Sequence, residues 1–235
     1  MLVEWQSGPL TFTKETDGAA AWTATSTSGP LTLAISAQLD FDGTIEYHAA
    51  LSSTSNVNLA DVQLNIPMAD SMVRYFMGMN LKGGKRPESY DWKWDVTRNQ
   101  DAAWLGDVNG GIQFTLKDDH SYVRPLNTNF YLQKPLVMPA SWANNGRGGC
   151  SFREAGAIYQ TTCFSGPRVL LAGDTLHYDF RLMITPFHPI DPARIPRRAT
   201  DAAERGLDLR AVGPEAEAAE PVRPARRAPD RVVAE

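Results

Sequence analysis

The feature that most constrains this chain is a series of segments in which apolar and polar residues alternate with the period of two that a β-strand requires. The clearest segment is 31–39, whose odd-numbered positions are all apolar. Asp42 and Gly43 follow it and tolerate the positive φ values of a tight turn, and residues 44–51 alternate again. These two segments predict a β-hairpin.

The same alternation continues to Pro186. In the last predicted strand, Leu176 to Ile184, the even-numbered residues are apolar, whereas His177, Asp179 and Arg181 share the other face. No amphipathic helix of three turns occurs between residues 10 and 186, so the sequence predicts an all-β fold, a large antiparallel β-sandwich with long ordered loops. Further strands are predicted at 61–66, 72–77, 111–117, 128–132, 156–162 and 168–172.

Composition excludes some classes of partner. The net charge of −4 and the lack of a basic run before residue 194 argue against nucleic acid. No window approaches the roughly 18 apolar residues of a membrane span. The N-terminal residues, with Glu4, do not resemble a signal peptide, so either the protein is cytoplasmic or its true N-terminus is missing, and the compartment stays open. The sequence does not indicate an oligomeric state.

The composition changes abruptly after Pro189. Residues 197–235 contain eight arginines, eight acidic residues, no lysine and no aromatic residue. Such a segment buries too little apolar surface to offset the entropy lost on ordering. The sequence therefore predicts a β-sandwich domain over 1–192 and a disordered tail over 193–235. Alanine and proline repetition with arginine in place of lysine also fits a frame slip in GC-rich DNA, so we consider a non-native coding origin for the tail.

Unusual chemistry is concentrated between Met77 and Gly111, which holds three of the six tryptophans. Gly83, Gly84 and Pro87 disfavour a helix, and the stretch reads as a long ordered loop. Tryptophans among charged residues are typical of sugar-binding surfaces, where the indole stacks on a pyranose. The alternative is that the tryptophans cover the edge of the sandwich. The candidates for carbohydrate binding or domain docking in this stretch are Lys82, Arg86, Asp91, Trp92, Trp94, Trp104 and Asp107.

A second concentration lies between Lys134 and Gly149. Trp142, Asn144 and Arg147 could form another rim of the same site, although Asn-Asn-Gly is equally well explained as a turn. Cys150 and Cys163 are either two thiols or a disulfide across a hairpin.

Catalytic signatures are weak, and no catalytic residue, cofactor or metal site is predicted. Asp118, Asp119 and His120 are adjacent in a turn and lack a ligand partner at the right spacing. His177 shares a strand face with Asp179, and His48 shares one with Glu46, but solvated or cross-strand pairs explain both. The sequence has no Gly-x-Ser-x-Gly nucleophile elbow.

Three long motifs carry a family resemblance. They are MGMNLKGGKRPESYDWKWD, AWLGDVNGGIQFTLKD and RPLNTNFYLQKPLVMPASWANNGRGG. Together they resemble the N-terminal β-sandwich domain of proteins related to glycoside hydrolase family 123, over roughly residues 10–190. The resemblance implies that a (β/α)₈ barrel follows the sandwich and that an adjacent Asp-Glu pair in the barrel acts on β-linked N-acetylgalactosamine, assisted by the acetamido group of the substrate. This sequence contains no barrel and no counterpart of that pair, so the resemblance implies a chain truncated before the catalytic domain.

The function expected from these observations is that of a non-catalytic module, whose partner is a carbohydrate or an adjacent catalytic barrel. One alternative is a free-standing lectin-like domain that uses Trp92, Trp94 and Trp142. Another is a small sandwich epimerase or lyase that works through His48, His120 or His177.

Overall fold

The computed structural model describes residues 3–95, 101–117 and 138–185, together with the backbone of residues 208–212. These residues form antiparallel strands, one single-turn helix α1 (Ala140–Ala143) and two 3₁₀ turns (Asp70–Met72 and Asn144–Gly146), which confirms the all-β prediction. The strands are β1 (Gln6–Ser7), β2 (Thr11–Glu15), β3 (Ala19–Ser28), β4 (Leu31–Asp40), β5 (Thr44–Ser53), β6 (Val57–Leu59), β7 (Asp61–Ala69), β8 (Tyr75–Gly78), β9 (Leu81–Lys85), β10 (Ser89–Lys93), β11 (Ala102–Asp107), β12 (Gly110–Lys117), β13 (Gly149–Ala155), β14 (Ile158–Phe164), β15 (Arg168–Leu170), β16 (Thr175–His177), β17 (Asp179–Thr185) and β18 (Asp208–Val212).

The larger sheet brings together strands from both ends of the domain. Its order is β1-β3-β4-β5-β17-β12-β11-β8-β9, with β2 added to β3 and β16 added to β5. β16 and β17 run along β5 in one register, so that His177 pairs with Ala50 and Phe180 pairs with Tyr47. A strand near the end of the domain therefore lies beside β5, the second strand of the hairpin predicted at 31–51.

The two faces of the larger sheet differ in burial. On β5, the side chains of Ile45, Tyr47, Ala49 and Leu51 are buried in the core. The intervening residues point to the other side, which we call the outer face. By the strand register, the outer face also carries Arg181 and Asp179 on β17, Gln113, Thr115 and Lys117 on β12, Trp104 on β11, and Tyr75 and Met77 on β8.

The smaller sheet covers the inner face and completes a sandwich. Its order is β10-β13-β14-β7-β18, and β6 pairs separately with β15. Phe152 on β13 is fully buried and meets Phe76 of the larger sheet edge to face, with ring centroids 4.8 Å apart. Phe114, also from the larger sheet, lies 6.3 Å from the same ring. This aromatic contact between the sheets forms the centre of the core.

Each predicted strand in the described residues overlaps an observed strand, and the segment 128–132 lies outside the described residues. The strand predicted at 72–77 begins only at Tyr75, after a 3₁₀ turn, and the strand predicted at 176–184 is divided at Tyr178 into β16 and β17. In the stretch 77–111, the structure describes residues 77–95 and 101–111, and the prediction of a loop is wrong for most of these. Met79 and Asn80 adopt left-handed conformations, with φ of 43° and 72°, and turn the chain into β9, which pairs with β8. β10 then joins the smaller sheet. Both are short edge strands with little burial, so neither shows a recognisable apolar period.

The tail contains one described segment. Residues 208–212 pair with β7 as β18, with Leu209 opposite Leu64. A disordered tail was expected over 193–235, and this segment instead has a strand backbone. The remainder of the tail lies outside the described residues.

Candidate functional site

Two of the tryptophans predicted at the 77–111 surface form one buried contact. Trp92 on β10 is 2% exposed and meets Trp94 at a centroid distance of 4.7 Å, with the rings inclined at 66°. Trp94 is partly buried against the same core. Trp92 therefore has no free indole face on which a sugar could stack, and the edge-covering alternative describes both residues better.

The charged candidates of this stretch bind neighbouring side chains. The guanidinium of Arg86 lies 4.4 Å from the ring centre of Tyr159 and forms ion pairs of 2.6 Å with Asp70 and Glu154. Both carboxylate oxygens of Asp91 accept hydrogen bonds of 2.6 Å from Nη2 of Arg153. The Arg86 contacts join the end of β9 to residues at the ends of β7 and β13, and the Asp91 contact joins β10 to β13 within the smaller sheet. Both positions are explained without a ligand.

The other two charged candidates lie near or at the surface. Asp107 accepts a hydrogen bond from the backbone N–H of Val108 and lies 3.7 Å from Arg74. Lys82 is exposed on β9. Neither is brought close to the second predicted cluster by the strand pairing.

That second cluster, around α1, is structural. Trp142 is fully buried, donates a hydrogen bond of 2.8 Å from Nε1 to the carbonyl of Asp179, and meets Tyr178 edge to face at 4.9 Å. Asn144 adopts φ of 40° and donates to the carbonyl of Ser165 at 2.8 Å. Arg147 donates to the carbonyl of Pro167 at 3.2 Å. Asn144 and Arg147 hold the 165–167 segment, whereas Trp142 packs against Tyr178. None of the three lines a surface with Trp104.

Trp104 is the one candidate tryptophan that lies on the outer face. Its ring lies over Gly106 and Gly111, where an added Cβ would come within 2.7 Å of the indole carbons. Its Nε1 donates a hydrogen bond of 2.8 Å to the hydroxyl of Thr185. The two glycines therefore allow the indole to lie flat on the sheet while part of it stays accessible.

A cluster of charged side chains from β5, β12 and β17 also lies on the outer face. Glu46 on β5 accepts a hydrogen bond of 2.6 Å from Lys117 and also binds Arg181 through its other carboxylate oxygen. Burial alone would raise the pKa of Glu46, but hydrogen bonding and charge attraction from Lys117 and Arg181 outweigh it and lower that pKa below its ordinary value. Glu46 is therefore ionised, and each of its carboxylate oxygens binds one of the two cations.

This cluster gives the first testable prediction. Because the folded-state pKa of Glu46 is lowered, the stabilisation is complete above the ordinary carboxyl pKa and is lost as pH falls through the folded-state value. We expect Glu46→Gln to lower the free energy of unfolding by about 1 kcal/mol at pH 7. Urea unfolding at pH 7 and pH 3 should show the difference from wild type shrinking at pH 3, with the exposed Glu15→Gln as control. A deficit that is equal at both pH values would contradict the assignment.

Beside this cluster, the outer face carries a hydrogen-bonded pair of a histidine on β5 and an aspartate on β17. Nδ1 of His48 lies 2.7 Å from Oδ2 of Asp179, across the β5–β17 pairing. The side chain of Asp179 is 2% exposed, whereas that of His48 is 56% exposed. Oδ1 of Asp179 also accepts a hydrogen bond of 3.2 Å from the backbone N–H of Ala49. The carboxylate is fixed in the sheet, and the imidazole projects from it.

The sequence suggested different partners for these groups. It placed Asp179 with His177 and His48 with Glu46, because each pair shares a strand face. The structure joins His48 to Asp179, and Glu46 to Lys117 and Arg181. The residues were assigned to the correct face of each strand, but nothing in the sequence indicated that β5 and β17 are neighbours.

The remaining chemical candidates are limited. Asp118, Asp119 and His120 lie outside the described residues. In the described ranges, no group of three or more His, Cys, Asp or Glu side chains is arranged to hold a metal. No helix among the described residues has the length and apolar character to cross a membrane.

Cys150 and Cys163 face each other across β13 and β14 as buried thiols, with their sulfurs 2.9 Å apart. The pKa of Cys150 is raised well above its ordinary value, mainly by burial and to a lesser extent by the adjacent Cys163. The nucleophilic thiolate form is therefore disfavoured at Cys150.

The described residues define a β-sandwich domain with an outer sheet face that carries an indole, an ion-pair cluster and a His-Asp pair. The chain belongs to the glycoside hydrolase 123 family, because residues 2–186 match the family model described as "Glycoside hydrolase 123, third domain". The expected family is confirmed, although this description counts the domain as third and not as N-terminal. The chain is thus a β-rich domain associated with glycoside hydrolases.

Comparison with solved structures gives only distant similarity. Heparan sulfate lyase HepC from Pedobacter heparinus aligns with a TM-score of 0.38 and 8% identity, over 81% of this chain and 22% of the lyase. A HepC mutant gives the same TM-score with 10% identity, over 78% of this chain and 21% of the mutant. An amine oxidase from Aspergillus nidulans gives 0.28 and 11% identity, over 81% of this chain and 38% of that chain. The chain therefore spans about a fifth of the lyase. No significant match to a curated protein sequence was found.

Proposed function

We propose that this chain is a non-catalytic β-sandwich module of a glycoside hydrolase-like protein. In this proposal it supports a catalytic barrel, and part of its outer face lies against that barrel and lines the carbohydrate cleft. The family match supports the association with a glycoside hydrolase. The position of the interface is argued from the surface of the larger sheet.

One observation carries the choice of surface. Tyr75 and Met77 on β8 are 36% and 54% exposed, and the strand register places Met77 beside Trp104 on β11. Val108, at the turn after β11, is also exposed. Apolar side chains grouped beside a partly accessible indole are typical of interaction surfaces. This group, Tyr75, Met77, Trp104 and Val108, is the proposed docking surface.

The proposed docking surface includes part of the 77–111 stretch that the sequence singled out. Met77 and Trp104 belong to that stretch, and both lie on the outer face. Trp92 packs into the core, so it stabilises the domain but does not form part of the docking surface. The lectin-like alternative loses Trp92 and Trp142 as stacking platforms, because both are buried.

The docking surface can be tested by adding a charge at its centre. We expect Met77→Glu to weaken binding to the separately produced catalytic barrel of a glycoside hydrolase 123 family protein at least tenfold, because desolvating an unpaired carboxylate costs more than about 1.4 kcal/mol. Val169→Glu is the matched control, since Val169 is 56% exposed on β15, away from the docking surface. Binding can be measured by surface plasmon resonance. Equal loss in both variants, or no binding by the wild-type chain, would count against the proposal.

A further inference from the structure

The outer face has a depression of about 490 Å³ between β3, β4, β5 and β16. It is separate from the proposed docking surface, which lies on β8 and β11. Small side chains, including Ala34 and Ala50, leave room along its floor, and its polar lining consists of Thr23, Thr25, Ser36, His48 and His177. Its volume lies within the range of about 300–1,000 Å³ that is typical of small-molecule sites.

The His48 imidazole is oriented by a buried group. The carboxylate of Asp179 can only accept hydrogen bonds, so the contact of 2.7 Å places the proton of His48 on Nδ1. In the neutral ring Nε2 is then an acceptor, on a side chain that lines the depression. The 2% exposed carboxylate keeps the ring in this orientation without any ligand.

The charges around the depression favour a neutral ligand. The nearby cations of the outer face, Lys117 on β12 and Arg181 on β17, are both bound to Glu46. Asp179 is bound to His48 and to the backbone of Ala49. A sulfate or carboxylate would have to compete with Glu46 for its cation, whereas a hydroxyl group can donate to His48 and bond with Ser36 or Thr23 without separating any charge pair.

From this geometry we propose that the depression binds a neutral, polyhydroxylated ligand of the size of a sugar residue, with one hydroxyl donating to Nε2 of His48. Asp179 is a positioning residue, because it acts through the His48 ring. The site is open to solvent and its polar groups are short, so the affinity is weak, with Kd about 1 mM. The inference does not depend on the docking role proposed above.

The test uses the full chain and three probes: N-acetylgalactosamine, galactose and a sulfated heparan disaccharide. Titration followed by two-dimensional NMR should give saturable shifts at Ser36, His48 and His177 with at least one of the neutral sugars. His48→Ala should weaken that binding about tenfold, which corresponds to about 1.4 kcal/mol. Thr27→Ala is the control, because Thr27 is exposed on β3 outside the depression. His48→Gln should restore part of the affinity, because its amide oxygen can replace the lost acceptor.

Three results would overturn the proposal. They are the absence of saturable shifts with both neutral sugars, equal affinity in His48→Ala and wild type, and tighter binding of the sulfated disaccharide than of either neutral sugar. His48→Ala removes a partner of the buried Asp179 carboxylate, so the amide spectrum of each variant is recorded first to verify that the fold is intact. Failure here would leave the docking prediction at Met77 untouched, so the two proposals can fail separately.

Discussion

Replacing Trp142 with alanine is expected to lower the free energy of unfolding by about 3–5 kcal/mol, the range found for large aromatic residues in cores. Trp142 is fully buried, contacts the ring of Tyr178 and donates to the carbonyl of Asp179. The substitution would leave a cavity and remove the donor from a buried carbonyl. A loss of this size approaches half of the total stability of a typical domain.

Urea unfolding monitored by circular dichroism measures this effect, with Trp104→Ala as the matched control. Trp104 lies on the outer face and is partly accessible, so its truncation should cost clearly less than that of Trp142. Similar losses in the two variants, or a larger loss for Trp104, would show that the burial assigned to α1 is wrong.

The substitution Gly111→Ala is expected to destabilise the domain by about 2–3 kcal/mol, at the upper end of the usual range for overpacking. A Cβ at Gly111 would lie 2.4 Å from the carbonyl oxygen of Leu105 and 2.7 Å from the ring of Trp104. The first of these atoms belongs to the backbone of the neighbouring strand, so a side-chain rotation cannot relieve the contact. The β11–β12 pair must separate locally, and the indole must leave its position over the sheet.

Gly84→Ala is the control for this substitution, because a Cβ at Gly84 would meet nothing within 4 Å. Its stability should stay within about 0.5 kcal/mol of wild type. Thermal unfolding provides the stability difference, and acrylamide quenching of tryptophan fluorescence, compared with that of Trp104→Ala, reports the exposure of Trp104. A Gly111→Ala variant as stable as Gly84→Ala would contradict the flat packing of Trp104.

Much of the sandwich could be predicted because the burial of each strand depends on its own alternation. The segments 31–39 and 44–51 bury one face each, and a period of two is visible in the sequence when only one face is apolar. In 111–117 the apolar alternation is also visible, although Thr115 and Lys117 on the other face are buried as well. The last strand shows the limit of this reasoning. Its two faces were assigned correctly, but its neighbour β5 comes from a hairpin more than 120 residues earlier in the chain. Strand alternation carries no information about such long-range pairing.

The candidate site was harder to predict, because residue type does not determine burial. Tryptophan is equally suited to a core and to a sugar platform, and only the strand register distinguishes Trp92 in the core from Trp104 on the outer face. Likewise, Arg86 and Asp91 could have served a ligand, but each is bound by charged residues of neighbouring strands or turns. The His48–Asp179 pair depends on the same β5–β17 pairing and was missed for that reason.

We propose that this domain serves a glycoside hydrolase without catalysing hydrolysis itself. The most direct measurement is the release of nitrophenol from aryl β-N-acetylgalactosaminide and β-N-acetylglucosaminide by the purified full chain between pH 5 and pH 8. We expect no release above the rate in buffer at any pH. Release that rises in proportion to protein concentration and disappears in His48→Ala would contradict the claim, and would assign catalysis to the outer face of the larger sheet.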